Sequence, residues 1–115
     1  MDAFVNQYLH TMLWASTGND AEPLSRNYRV SHCAPETVEK AIEDCRKFRD
    51  DNAEDLKGLD HSHAAHDLWL TRNHHGCGFW DGDYEEKKGK RLTAYCDQLG
   101  ELTPYEGDDG LIYFL

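Results

Sequence analysis

Phe4, Val5, Tyr8, Leu9, Met12 and Leu13 recur every three or four positions, which predicts an amphipathic helix from about residue 2 to 15. Gly18, Asn19, Asp20 and Pro23 then break the pattern. The stretch RNYRVSHC, residues 26–33, reads as extended and leads to Pro35, well placed as the first residue of a second helix. Val38, Ala41, Ile42, Cys45 and Phe48 supply the apolar stripe of that helix. Glu36 and Glu39 suit its N-terminal dipole, and Leu56 followed by Gly58 marks its end. Its outer face is expected to carry Glu43, Asp44, Asp50, Asp51, Glu54 and Asp55.

Further along, LWLTR and GFWD flank NHHGC, which reads as two short strands around a glycine-containing loop. Asp83 has the character of an N-cap, with Glu86 completing a capping box. Tyr84, Leu92, Tyr95, Cys96 and Leu99 then line a third helix over 84–99, stopped by Gly100. The C-terminal LTPYE-GDDG-LIYFL predicts a hairpin, with Pro104 on an edge strand. The sum is an α+β fold: three helices packed on a small antiparallel sheet made of short hairpins. At 115 residues, 1–115 is expected to be a single domain.

Composition makes the core small. Leu, Ile, Val and Phe together number 21, and the three Trp and six Tyr are needed to complete it. Partner binding or self-association as a homodimer would bury more. The net charge of −10, from 22 acidic and 12 basic side chains, argues against direct nucleic-acid binding, which depends on Lys and Arg displacing counterions. It suits docking on a basic protein surface. Cys33, Cys45, Cys77 and Cys96 form no C-x-x-C pair, so a zinc ribbon is not indicated. The N-terminal MDAFVNQYLH lacks a basic leader region, and no apolar run approaches the roughly 20 residues of a membrane span. A cytoplasmic location, with no membrane association, is the expectation.

Chemistry concentrates in DHSHAAHDLWLTRNHHGCGFWD, residues 60–81, with five of the seven histidines. His61-x-His63-x-x-His66-Asp67 invites comparison with the H-x-H-x-D-H set of metallo-β-lactamase-type hydrolases. Ala65 stands where that set needs an acid, and the chain is too short for that fold. A ββα-metal nuclease finger would need a ligand from the following helix, which offers only Asp97. A generic zinc or other divalent site remains open, with His66, His75 and Asp81 as candidate ligands; otherwise no cofactor is expected. The same residues also have scaffold roles open to them. His66 and Asp67 could orient one another, Arg72 could pair with Asp81, and Trp69 and Trp80 could be core, with His61 and His63 in an exposed loop. The density of polar groups beside glycines suits a recognition loop presenting Arg72, Asn73, His75 and Trp80.

AAHDLWLTRNHHGCGFWDGD resembles a segment of small bacteriophage and prophage proteins carrying a pattern close to AGHDFWLTRNGHGAGFWD, tightly from Ala65 to Asp81. YEGDDGLIYF is similar to that family's aromatic hairpin. The matching polar positions are His66, Asp67, Arg72, Asn73, His75 and Asp81, with Gly76, Gly78, Trp69, Phe79 and Trp80 beside them. His61, His63, His74 and Cys77 have no counterpart. The resemblance implies a phage-type protein working inside a host cell and carries no activity with it.

Three functions follow as expectations. The first is stoichiometric binding to a host or defence protein, as an inhibitor that could imitate the charge of DNA, through Asp50, Asp51, Glu54 and Asp55. The second is a metal-assisted or His/Asp acid–base hydrolase centred on His66, Asp67, His75 and Asp81. The third is a virion assembly factor that self-associates through a tryptophan face.

Overall fold

The structure is a computed structural model that describes residues 1–75, 78–80 and 84–115. Five helices are described: α1 (Ala3–Ala15), α2 (Pro35–Asp51), α3 (Ala53–Leu56), α4 (His61–Arg72) and α5 (Glu86–Leu99). One antiparallel pair, β1 (Pro104–Glu106) and β2 (Ile112–Phe114), follows. The class is α+β, with more helix than the sequence pattern predicts.

Helix α1 starts where Asp2 caps it, the Oδ1 accepting from the Val5 N–H at 2.9 Å. Its buried face carries Phe4, Val5, Tyr8, Leu9, Met12 and Leu13, as the spacing predicts. Pro35 opens α2 at the position where its missing N–H costs nothing. Between them, residues 26–33 are not extended, since Val30–His32 forms a 3₁₀ turn.

The largest departure lies at 61–72. The expected strand over LWLTR is the second half of a helix, so the first of the two predicted hairpins does not form. Asp60 caps α4, its Oδ1 accepting from the His63 N–H at 3.1 Å, and Asn73 closes it with Nδ2 donating to the Trp69 carbonyl. Ala64 and Ala65 are small enough to let α4 lie close against α1, its most extensive packing partner. From Ala64 to Arg72 only His66 escapes full burial, so no amphipathic stripe betrays the helix.

Helix α5 begins at Glu86, two residues later than expected, with Glu85 in the capping position; Asp83 lies outside the described residues. Gly89 sits where α5 crosses the chain at Phe79, and a Cβ there would collide with the Phe79 carbonyl oxygen. The C-terminal hairpin is present in the register Tyr105↔Tyr113, with Gly110 at φ 79° in its turn. Its β2 edge is covered, because the Ile112 carbonyl accepts from the Ala34 N–H at 3.0 Å and the Thr37 hydroxyl at 2.8 Å. Phe114 stacks on Trp69 at 5.9 Å, joining the hairpin to the helical core. No helix among the described residues is long and apolar enough to cross a membrane.

Alanine is the better helix former, yet Gly89→Ala is expected to lower stability by about 1–3 kcal/mol, because the new methyl meets backbone that cannot rotate away. Urea denaturation checks this, and a gain in stability would show that α5 and residue 79 are not in close contact.

Candidate functional site

Helix α4 distributes its polar side chains to three sides. Toward α5, the buried Asp67 accepts from the Tyr84 hydroxyl at 2.6 Å, and His63 Nε2 lies 3.0 Å from the same carboxylate oxygen. His63 and Tyr84 rings also pack at 5.8 Å. Toward α1, His66 Nδ1 is 2.8 Å from the Thr11 hydroxyl, and the His66 ring lies 5.6 Å from that of Trp14. His66 and Asp67 are neighbours in sequence but about 100° apart around the helix axis. They therefore serve different partners and do not orient one another.

At its C-terminal end α4 buries a cation. Arg72 is 1% exposed and donates through Nη1 to Asp44 Oδ2 at 2.8 Å and to the Tyr8 hydroxyl at 2.9 Å. Its Nε donates to the Gly100 carbonyl at 2.8 Å, and Nη2 to the Leu99 carbonyl at 3.4 Å. The two carbonyls are groups that the end of α5 leaves without helical partners. Burial pushes the Tyr8 phenol well above its usual range, which keeps it a neutral acceptor for Arg72. Asn73 Oδ1 accepts from the Leu102 N–H at 3.0 Å, holding the chain that leaves α5. Thr71 Oγ1 accepts from the Phe79 N–H at 3.1 Å, and a side chain at Gly78 would collide with that hydroxyl. Thr71, Arg72, Asn73 and Gly78 are thus committed to bracing.

Arg72 pairs with Asp44 rather than with Asp81, which lies outside the described residues, as do Gly76 and Cys77. His75 is half-buried beyond α4, its N–H donating to the Leu70 carbonyl at 2.9 Å. His74 adopts φ 57° and faces Asp97 and Glu101 at 3.9 and 3.7 Å. Trp69 is core, but Trp80 is 46% exposed. His61 and His63 are exposed as expected, though on the first turn of α4 and not in a loop. Among the described residues no three His, Cys, Asp or Glu side chains gather so that they could hold a metal ion.

The acidic row expected on the outer face of α2 is divided between α2 and α3, and Asp44 is turned inward. Asp44 is buried against Arg72, Asp51 accepts from the Tyr95 hydroxyl at 2.6 Å, and Asp55 holds Arg91 through two bonds of 2.8 and 2.6 Å. Asp50 and Glu54 stay exposed, as do Lys40, Arg46 and Lys47 on α2. Sequence reasoning passed over Thr11 and took Tyr8 and Tyr84 only as apolar stripe residues, without their hydroxyl contacts. The signal for Asp44 was present, since Thr37, Ala41, Asp44 and Phe48 lie on one helical row that faces the core.

No protein-family model, no curated protein and no solved structure matches this chain.

Two outcomes test these assignments. Arg72→Met and Asp44→Ala are each expected to cost roughly 3–5 kcal/mol or prevent folding, since each strands a buried group, while His66→Ala costs about 1 kcal/mol. Thermal and urea unfolding decide it, and a mild Asp44→Ala would mean the ion pair is not the brace. Separately, burial pushes the Cys33 thiol up to about 11 and those of Cys45 and Cys96 to about 12. Iodoacetamide at pH 8 should leave these three unmodified in the folded protein and label all of them in guanidinium chloride, read by peptide mass mapping. Rapid labelling of Cys45 or Cys96 without denaturant would contradict their burial.

Proposed function

We propose that this protein acts by stoichiometric binding to a protein with a basic surface, as a phage-type accessory factor that inhibits or redirects a host or defence protein. One observation carries the reading: the chain has a net charge of −10, while Asp67, Thr71 and Arg72 of its densest motif turn inward to brace the fold. The working surface is then the exposed acid excess, and such charge chiefly sets partner choice and rate of encounter. Direct nucleic-acid binding is disfavoured by the same charge.

The acids extend well beyond α2. Asp20, Asp60, Glu85, Glu86, Glu101, Asp108 and Asp109 are exposed on other parts of the molecule. On α2 itself Glu39, Glu43 and Asp50 alternate with Lys40, Arg46 and Lys47. That arrangement favours long-range steering of a basic partner over imitation of evenly spaced phosphates. The hydrolase reading draws support from one feature, the buried Asp67 beside the half-exposed His63, but His66, on another side of α4, belongs to a different set of contacts.

Asp50→Lys combined with Glu54→Lys tests the charge at two exposed positions, leaving Asp51 and Asp55 to hold Tyr95 and Arg91. The double variant should keep its circular dichroism. Its affinity for a partner recovered from host-cell lysate should fall roughly tenfold at low salt, with a weaker dependence on salt. Equal affinity and equal salt dependence for both proteins would sink the acidic-surface reading.

A further inference from the structure

The outer side of α1 differs from the rest of the surface. Ala3–Ala15 contains no Asp, Glu, Lys or Arg, although charged residues make up 30% of the chain. Its exposed side ends in Trp14, which is 59% exposed yet held against the His66 ring at 5.6 Å and 38°. Between α1 and α4 opens a cleft of about 310 Å³ lined by Gln7, His10, Thr11, Trp14 and His66. An exposed indole costs ordering and exposes apolar surface, and such aromatics are enriched where proteins meet.

Hydrogen-bond accounting defines the polar side of this cleft. The buried Thr11 Oγ1 accepts from Gln7 Nε2 at 3.1 Å, lies 3.0 Å from the Gln7 carbonyl and is 2.8 Å from His66 Nδ1. With the hydroxyl proton on the Gln7 carbonyl, Nδ1 carries the imidazole proton and Nε2 keeps its lone pair. Nε2 is the ring nitrogen left for a ligand, since it has no partner among the described residues.

We propose that this cleft receives the guanidinium of an arginine side chain presented by the basic partner. The guanidinium lies on the Trp14 indole and donates an N–H to His66 Nε2, selecting the tautomer that accepts. No Lys, Arg, Asp or Glu lines the cleft, and the net −10 of the whole molecule draws a cation toward it in preference to an anion. Shape favours arginine over lysine, because a planar, weakly hydrated guanidinium stacks on an aromatic face while an ammonium keeps its water. The identity of the arginine's owner rests on the binding reading above; the cleft itself rests on the geometry of α1 and α4.

The test uses the full chain and small probes, so it does not depend on knowing the partner. N-acetyl-arginine amide and its uncharged counterpart N-acetyl-norleucine amide are titrated while the three indole N–H signals are followed in ¹H–¹⁵N spectra. The expected result is a saturable shift of the Trp14 indole with the arginine probe only. Trp14→Ala should weaken probe binding roughly tenfold, as judged from the backbone amide shifts of residues 7–11 and 66. His66→Gln, which keeps an acceptor, should retain binding better than His66→Ala. No Trp14 shift, or equal shifts with both probes, overturns the proposal. So does a Trp14 shift that tracks protein concentration without any probe, since a second copy would then occupy the cleft. The Asp50→Lys, Glu54→Lys variant separates the two readings: if it still takes the arginine probe yet binds the partner as tightly as the parent, the acidic-surface reading falls and the cleft stands.

Discussion

The fold depends on where one guanidinium goes. Arg72 ends α4 inside the protein, and a buried cation is tolerable only with an anion and enough acceptors around it. Asp44 from α2, Tyr8 from α1 and the last carbonyls of α5 supply them. Four helices are thereby set relative to one another by a single planar group whose donors point in fixed directions. An apolar residue of similar volume could fill the space, but it would not require Asp44 inward or α5 to stop at Leu99. The pair's value lies in specifying the arrangement, since breaking it is far more costly than the pair is stabilising.

The neighbouring polar residues extend this brace outward. Thr71 holds Phe79, Asn73 holds Leu102, and Asp67 receives Tyr84. Each ties α4 to a segment that comes later in the chain and has no regular structure at the point of contact. A sheet of only two short strands offers few ladder bonds, so side chains supply the connections that strands would otherwise make. What reaches solvent is correspondingly simple: a wide excess of carboxylates, and the charge-free edge of α1 with Trp14 beside His66.

Much of the frame was legible in the residues. Helix α1, the start of α2 at Pro35, the end of α5 at Gly100 and the C-terminal hairpin all follow from periodicity and terminus chemistry. Each has one buried and one solvated side, which is the condition under which periodicity reports structure. Helix α4 was hidden because it lacks that asymmetry. Buried on almost every side from Ala64 to Arg72, it reads as an apolar run, and the Leu68-Trp69-Leu70-Thr71 order imitates a strand. Trp80 erred the other way: its size suggests core, but it sits beyond the end of α4, half exposed.

The candidate site divides along the same line. The sequence by itself determined that polar side chains would crowd residues 60–81, that the molecule would be strongly acidic, and that α1, α2 and α5 would be helices and the C-terminus a hairpin. These are properties of composition and local spacing, carried by each segment alone. Only the tertiary structure decided that Arg72 belongs to Asp44, Asp67 to Tyr84 and His66 to Thr11, across separations of 28, 17 and 55 residues. A polar side chain's partner is chosen by which surfaces the core brings together, and nothing in a local pattern encodes that choice.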